Sequence, residues 1–256
     1  MKYQLNLFFL ALGFFSRLPI PKSVTYSELK LNQSSRYFML VGWLLGALVA
    51  SVYYIANHFF SEHISIWLAM VFSLFLTGCF HEDGFADMAD GFGGGLTVER
   101  KLTIMKDSRL GTYGVTSLIL LLLGKFLLLS ESQHIVIALI VAYGLSRGIA
   151  ASFIYDMDYV TDIEESKSKP LANNQNKSDF IILILTAIPT VWLVGMEASL
   201  ILLAVLLAFR TIFKAFLYRH IQGYTGDCLG AAQQAAEILI YFTLLLIYQN
   251  SGMLIL

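Results

Sequence analysis

The sequence contains few charged residues. Asp, Glu, Lys and Arg together make up 14% of the chain, whereas soluble globular proteins average about 25%. Hydrophobic residues make up 57%, and the mean hydropathy is +0.69. This composition excludes an ordinary soluble enzyme and is typical of a protein built from membrane-spanning segments.

Net charge and cysteine are also scarce, and both scarcities limit the functions that can be expected. The formal net charge is only −1, and no basic stripe with interleaved aromatic residues is present, so nucleic acid is not an expected partner. The two cysteines, Cys79 and Cys228, are expected on the reducing side of the membrane, where they need not pair. Without an internal repeat or a separate soluble portion, residues 1–256 are predicted to form a single membrane-embedded catalytic domain.

Long apolar runs predict an all-α fold, a polytopic integral membrane helical bundle with about seven transmembrane helices. The predicted spans cover residues 38–60, 64–81, 113–130, 135–155, 180–195, 199–218 and 230–250. The run Leu5 to Phe15 is too short to span a bilayer, so an interfacial or re-entrant helix is expected there. A signal peptide is the alternative, but a small-residue cleavage site is missing.

The basic residues predict the orientation of these spans. Of the 17 Lys and Arg residues, all but Lys125, Arg147, Arg210 and Lys214 fall in connecting segments on one side of the membrane. The opposite connections, near 57–63, 131–134 and 196–198, contain none. Because Lys and Arg are retained in the cytoplasm, the basic side is expected to be cytoplasmic. Lys125 points toward the opposite side, where it is expected to snorkel.

The most distinctive motif is HEDGFADMADGFGGG, residues 81–95. Asp83, Asp87 and Asp90 stand at i, i+4 and i+7, so on a helix they share one face, and Glu82 lies at the helix end. Clustered carboxylates without His or Cys partners suit Mg²⁺ held together with substrate phosphates. We therefore predict Mg²⁺ ligands at Glu82, Asp83, Asp87 and Asp90. A solvated acidic helix end is the alternative.

Basic residues follow the acids directly. Arg100, Lys101, Lys106 and Arg109 lie in residues 99–114, and a basic group after an acidic one suggests a metal plus a phosphate. We predict substrate roles for Lys106 and Arg109. For Arg100 and Lys101, a positive flank before the next span is an equally good interpretation.

Polar residues near or within later spans complete the candidate site. Asp227, in GYTGDCLGAAQQ just before the last span, is predicted to act as a general base or a second metal ligand; an Asp capping the next helix is the alternative. Arg147 is costly within a span unless it faces a cavity, which makes it a further catalytic candidate. Gln233 and Gln234 either line that cavity or pack between helices.

The segment 156–179 is polar, mixed in charge and without an apolar period. Such a composition is typical of a mobile lid or a flexible connector. Lys167 and Lys169 either meet a nucleotide or belong to a plain connector.

Four motifs together resemble the cobalamin synthase family: NLFFLALGFFSRLPIP at 6–21, HEDGFADMADGFGGG, IMKDSRLGTYG at 104–114 and GYTGDCLGA at 223–231. The resemblance implies an enzyme of the bacterial cytoplasmic membrane that joins adenosylcobinamide-GDP to α-ribazole or its 5′-phosphate. The expected products are adenosylcobalamin or its phosphate plus GMP, and the expected cofactor is Mg²⁺.

In the reaction that the resemblance implies, the acids of residues 82–90 would hold Mg²⁺ against the diphosphate. Lys106, Arg109 and Arg147 would stabilise the leaving GMP. Asp227 or an acid of the cluster would accept the proton of the attacking ribose hydroxyl.

Other classes of membrane protein also place acids at helix ends. A phospholipid-type alcohol phosphotransferase and a polyprenyl transferase are alternative enzymes, although their motif spacings differ from the spacing found here. A cation-coupled transporter is the alternative outside enzymes, although a transporter would place its carboxylates within spans of symmetric halves. Gly42 and Gly46 form a GxxxG spacing that permits close helix packing, within one chain or in a homo-oligomer.

Overall fold

The computed structural model of the chain describes residues 2–160 and 172–251. In these ranges the regular structure is helical, and Tyr159 and Tyr224 form an isolated β-bridge. The helices are α1 Lys2–Phe15, α2 Glu28–Ser34, a 3-10 helix Ser35–Tyr37, α3 Phe38–Ala56, α4 Glu62–Thr77, α5 Phe80–Gly94, α6 Val98–Lys106, α7 Thr112–Ser130, α8 Ile135–Asp156, α9 Lys177–Leu185, α10 Pro189–Ile221 and α11 Gly226–Ser251.

Helix α8 lies at the centre of the bundle, between α3 and α11. Its spanning window is 78% buried, compared with 22% for α7 and α10. Glycines let α3 approach it closely, since a Cβ at Gly42 would lie 2.9 Å from the Gly144 Cα and one at Gly46 would lie 3.0 Å from the Ile140 Cα. The GxxxG spacing therefore serves packing within this chain.

A sharp bend separates α4 from α5. The two helices meet at 86°, because Gly78 (φ 68°) and Cys79 (φ 58°) both adopt the left-handed conformation. Glycine tolerates this conformation, whereas for Cys79 it is strained. As a result the acidic motif forms a helix that leaves the axis of α4 and packs across α11 and α7.

Five of the described segments are long and apolar enough to cross a membrane, or six if α4 and α5 form one broken span. The polytopic helical membrane class is therefore confirmed. The count of about seven is higher than this criterion supports, because residues 180–195 do not form one helix. Helix α9 ends at Leu185, Pro189 opens α10 without an N–H donor, and Gly195 (φ 79°) interrupts α10.

The N-terminal helix α1 has 14 residues, too few to span a bilayer. It packs against α2 and α3, with Leu7 and Ala11 fully buried. The Asn6 amide donates to the Thr25 carbonyl oxygen (2.9 Å) and accepts from the Thr25 N–H (2.8 Å). These bonds hold the segment that follows α1 against the helix.

An ion pair joins α7 to α11 inside the bundle. Lys125 was expected to snorkel, but its side chain is buried and its Nζ lies 2.9 Å from Glu237 Oε1. The expectation was wrong because an acid on α11, not considered from the sequence, offers a partner at the same depth. Glu237 also accepts hydrogen bonds from Gln233 (2.8 Å) and Tyr241 (3.1 Å), so both carboxylate oxygens are bonded.

We expect Lys125→Met to lower the free energy of unfolding by about 3–5 kcal/mol, because Glu237 would keep a buried charge without its cation. Combining Lys125→Met with Glu237→Gln should recover most of the loss. Thermal unfolding in detergent measures both variants, and Lys22→Met, at an exposed lysine, is the control. A single variant as stable as the unmodified protein would show that the pair does not stabilise the bundle.

Candidate functional site

Helix α5 crosses the start of α11 at very short range. A Cβ at Gly84 would lie 3.0 Å from the Asp227 Cα and 3.1 Å from the Asp227 carbonyl oxygen. From the other side, a Cβ at Gly230 would lie 3.2 Å from the His81 carbonyl oxygen. Two glycines thus replace side chains at the crossing, and the acidic motif comes into contact with the motif GYTGDCLGA.

This crossing places the backbone of Asp227 against Gly84, which lies between Asp83 and Asp87 on α5. Asp83 is exposed and Asp87 is half-buried one turn later on the same face of α5, while half-buried Asp227 lies in the first turn of α11. We call these three carboxylates the acidic face. The cap of α11 is provided by Thr225, whose hydroxyl accepts the Cys228 N–H at 3.2 Å.

The other two predicted metal ligands have different surroundings. Glu82 is buried; its Oε1 accepts a hydrogen bond from Gln234 at 2.8 Å, and its Oε2 has no partner among residues 2–160 and 172–251. Asp90 is also buried, and its carboxylate accepts the N–H groups of Gly111 (2.7 Å) and Gly114 (2.8 Å) at the start of α7. Among the described residues, no group of three His, Cys, Asp or Glu side chains is arranged to hold a metal ion.

The basic residues lie on α6 and the turn after it. Helix α6 packs along α5, where a Cβ at Gly91 would lie 3.0 Å from the Lys101 carbonyl oxygen. Half-buried Lys106 ends α6. Arg109 is largely exposed and donates to Asp107 from Nε (3.0 Å) and Nη2 (2.6 Å). These hydrogen bonds raise the pKa of Arg109, which therefore stays a cation available at the surface.

Arg147 does not join these basic residues, because it lies on α8, whereas α6 packs on α5 and α10. It is 2% exposed and lines a pocket formed by residues of α1, α3, α5, α8 and α11. Gln233 also lines this pocket, whereas Gln234 packs between helices and donates to Glu82.

Segment 156–179 is described only in part, and Lys167 and Lys169 lie outside the described residues. Its first residues are bonded to the turn before α11: Tyr224 donates its N–H to the Asp158 carbonyl oxygen (2.9 Å), and Val160 donates to the Tyr224 carbonyl oxygen (3.0 Å). Tyr224 is buried beneath this contact, and burial raises the pKa of its phenol, which therefore remains neutral.

The sequence analysis missed Glu237 and the aromatic walls of the pocket. A signal for Glu237 was present, because Gln233, Glu237 and Tyr241 recur every four residues and so share one face of the last span. The aromatic walls gave no such signal, since Phe14, Phe38 and Phe80 come from helices whose contacts only the fold reveals.

Comparison with known proteins agrees with the resemblance. The family model described as cobalamin-5-phosphate synthase matches residues 7–245. A relative from Vibrio parahaemolyticus named adenosylcobinamide-GDP ribazoletransferase is 53% identical over 98% of this chain and 96% of its own length. Relatives with the same name from Vibrio cholerae (53% identical; 99% and 98% covered) and Shewanella piezotolerans (50%; 96% and 97%) are also similar. No solved structure matches significantly. The chain therefore belongs to the cobalamin-5-phosphate synthase family.

Proposed function

We propose that this chain transfers the cobinamide phosphate of adenosylcobinamide-GDP to α-ribazole or its 5′-phosphate, giving adenosylcobalamin or its phosphate and GMP. Family membership and the name shared by the relatives support this reaction. The structural observation that carries it is the crossing at which the Asp227 backbone packs on Gly84, the residue of α5 that follows Asp83 and precedes Asp87 by one turn.

The chemical step needs one nucleophile and one leaving group. A ribose hydroxyl of α-ribazole attacks the phosphorus attached to the cobinamide arm, a new P–O bond forms, and the P–O bond to GMP breaks. The hydroxyl proton passes to a carboxylate, for which we propose Asp227. Lys106 and Arg109 would bind the phosphate oxygens of GMP as they gain charge. Arg147, on α8, is better positioned to bind substrate than to contact this phosphate.

Mg²⁺ is proposed as the cofactor. Mg²⁺ commonly takes only one or two carboxylates, with waters and substrate phosphates completing its coordination, and hard oxygen donors at Asp83 and Asp87 fit that requirement. When bound, the ion would neutralise charge on the diphosphate. Glu82 and Asp90 fit less well, because Glu82 is bonded to Gln234 and Asp90 to two backbone amides. Of the four metal ligands predicted from the sequence, we therefore keep two in the proposal.

We further propose that the acidic face is cytoplasmic and that the protein resides in the bacterial cytoplasmic membrane. The segment between α3 and α4, the one between α7 and α8, and the Gly195 interruption contain no Lys or Arg. The connections at the other ends of these helices carry Arg36, Lys106 and Arg219, as retention of basic residues in the cytoplasm requires.

The reaction is tested by measuring GMP release from adenosylcobinamide-GDP by purified protein in detergent. We expect release to require both α-ribazole and Mg²⁺. Folded protein that releases no GMP under these conditions would contradict the proposal and favour a transporter.

Asp83→Asn and Asp87→Asn should each slow GMP release about 100-fold at limiting Mg²⁺, on the order of the loss of one charge-stabilising group. Raising the Mg²⁺ concentration should recover part of the rate, because a weakened site fills at higher concentration. The measurement is the rate of release across a Mg²⁺ titration. Glu131→Gln, at an exposed acid in the connection after α7, is the control; normal rates for the Asp variants at limiting Mg²⁺ would refute the metal assignment.

Asp227→Asn should lower kcat by about 10²–10⁴-fold while changing the KM for α-ribazole little, because a general base acts on the proton and not on binding. Steady-state kinetics with both substrates varied separates the two constants. Asp158→Asn, at an exposed acid nearby, should behave like the unmodified protein. An effect of Asp227→Asn confined to KM would assign this residue to binding instead.

Asp90→Ala should destabilise the protein by about 1–2 kcal/mol, the usual cost of losing a helix cap. The Mg²⁺ concentration that gives half-maximal rate should not change. Thermal unfolding and a Mg²⁺ titration of the same preparation measure the two quantities. A shift in this Mg²⁺ concentration as large as that of Asp83→Asn would show that Asp90 is a metal ligand after all.

A further inference from the structure

The pocket lies where α1, α3, α5, α8 and α11 meet. Its walls are mainly aromatic: Phe15 packs edge to face on Phe38 (centroids 4.6 Å apart), and Phe14 packs the same way on Phe80 (4.7 Å). The His81 ring stacks on Phe15, with an interplanar angle of 12°. Such walls favour a flat, largely apolar ring.

The polar groups in the pocket are few and incompletely bonded. Arg147 donates from Nη1 to the Tyr143 carbonyl oxygen (3.0 Å), but its buried Nε has no partner in the described part of the chain. Gln233 donates to Ser146 and Glu237, while its Oε1 is likewise buried without a partner. A buried donor without an acceptor costs about 1–3 kcal/mol, so a ligand with one acceptor in the right place would satisfy Arg147.

The pocket adjoins the acidic face. It is lined by His81, two residues before Asp83 on α5, and by Gly226, the residue before Asp227 on α11. A ligand that fills the pocket would therefore contact the first turn of α11, which also carries Asp227, the proposed general base.

We propose that this pocket binds the benzimidazole base of α-ribazole and so selects the attacking nucleoside. The proposal rests on the proposed function. The base is planar and apolar, and once joined to ribose it keeps one ring nitrogen as an acceptor, which matches the single unpartnered donor of Arg147. Guanine carries more polar groups along its edges than the two unpartnered atoms of the pocket, Arg147 Nε and Gln233 Oε1, could bond. The corrin ring with its amide side chains is larger and more polar than the pocket.

The proposal is tested by placing a larger side chain on α8, where it would fill part of the pocket. Ala150 lines the pocket and is 7% exposed, so Ala150→Leu would occupy part of the space for the base. We expect at least tenfold weaker equilibrium binding of α-ribazole, measured by calorimetry without the second substrate, and a similar rise in its KM. The KM for adenosylcobinamide-GDP should change less than twofold. An α-riboside of imidazole, whose base has one ring, should bind the variant and the unmodified protein within about threefold of each other.

The matched control is Ala208→Leu, which adds the same atoms at an exposed position of α10 and should bind α-ribazole normally. Should Ala150→Leu fail to fold, Phe80→Leu removes an aromatic wall and should weaken α-ribazole binding about three- to tenfold, the contribution of one aromatic contact. Unchanged α-ribazole binding in a folded variant, or equal losses for both substrates, would overturn the proposal. Binding is measured without turnover, so a protein that binds α-ribazole in this pocket yet releases no GMP would contradict only the proposed function.

Discussion

The crossing of α5 over α11 is the contact on which the candidate site depends. Gly84 and Gly230 have no side chains to separate the two helices, and the backbones come within the distance that a Cβ would otherwise occupy. Close approach of this kind favours helix association in membranes, where burial of apolar surface gives little driving force. It also places the Asp227 backbone against Gly84, between Asp83 and Asp87 on α5, although the sequence separates Asp227 from these residues by more than half of the chain.

The four acids of helix α5 have different surroundings. The i, i+4, i+7 spacing correctly predicted a shared face for Asp83 and Asp87, but spacing contains no information about which helix packs against that face. Asp90 reaches the start of α7, where four N–H groups lack intrahelical partners, and it bonds two of them. Glu82 points into the bundle toward Gln234. Charge patterning identified the motif, whereas tertiary contacts determined the environment of each carboxylate.

The membrane class and most of the spans could be predicted from the sequence, because long apolar runs follow directly from the thickness of a bilayer. Two features of the fold could not be predicted from the sequence. The bend at Gly78 and Cys79 is a backbone conformation of two residues, and a hydropathy pattern does not register it. The division of residues 180–195 results from Pro189 and Gly195 within a run that remains apolar throughout. In both places local backbone geometry, and not composition, ended the helix.

Buried charge explains why the bundle can hold a polar site at all. Lys125 and Glu237 neutralise each other, and Glu82 and Glu237 both act electrostatically on Arg147. Arg147 donates from Nη1 to the Tyr143 carbonyl oxygen. Its unpartnered Nε is then available to a ligand, and the cost of burying it falls when the ligand binds. Because α5 and α11 form both the pocket and the acidic face, the helix crossing that assembles the carboxylates also sets their position relative to any bound nucleoside.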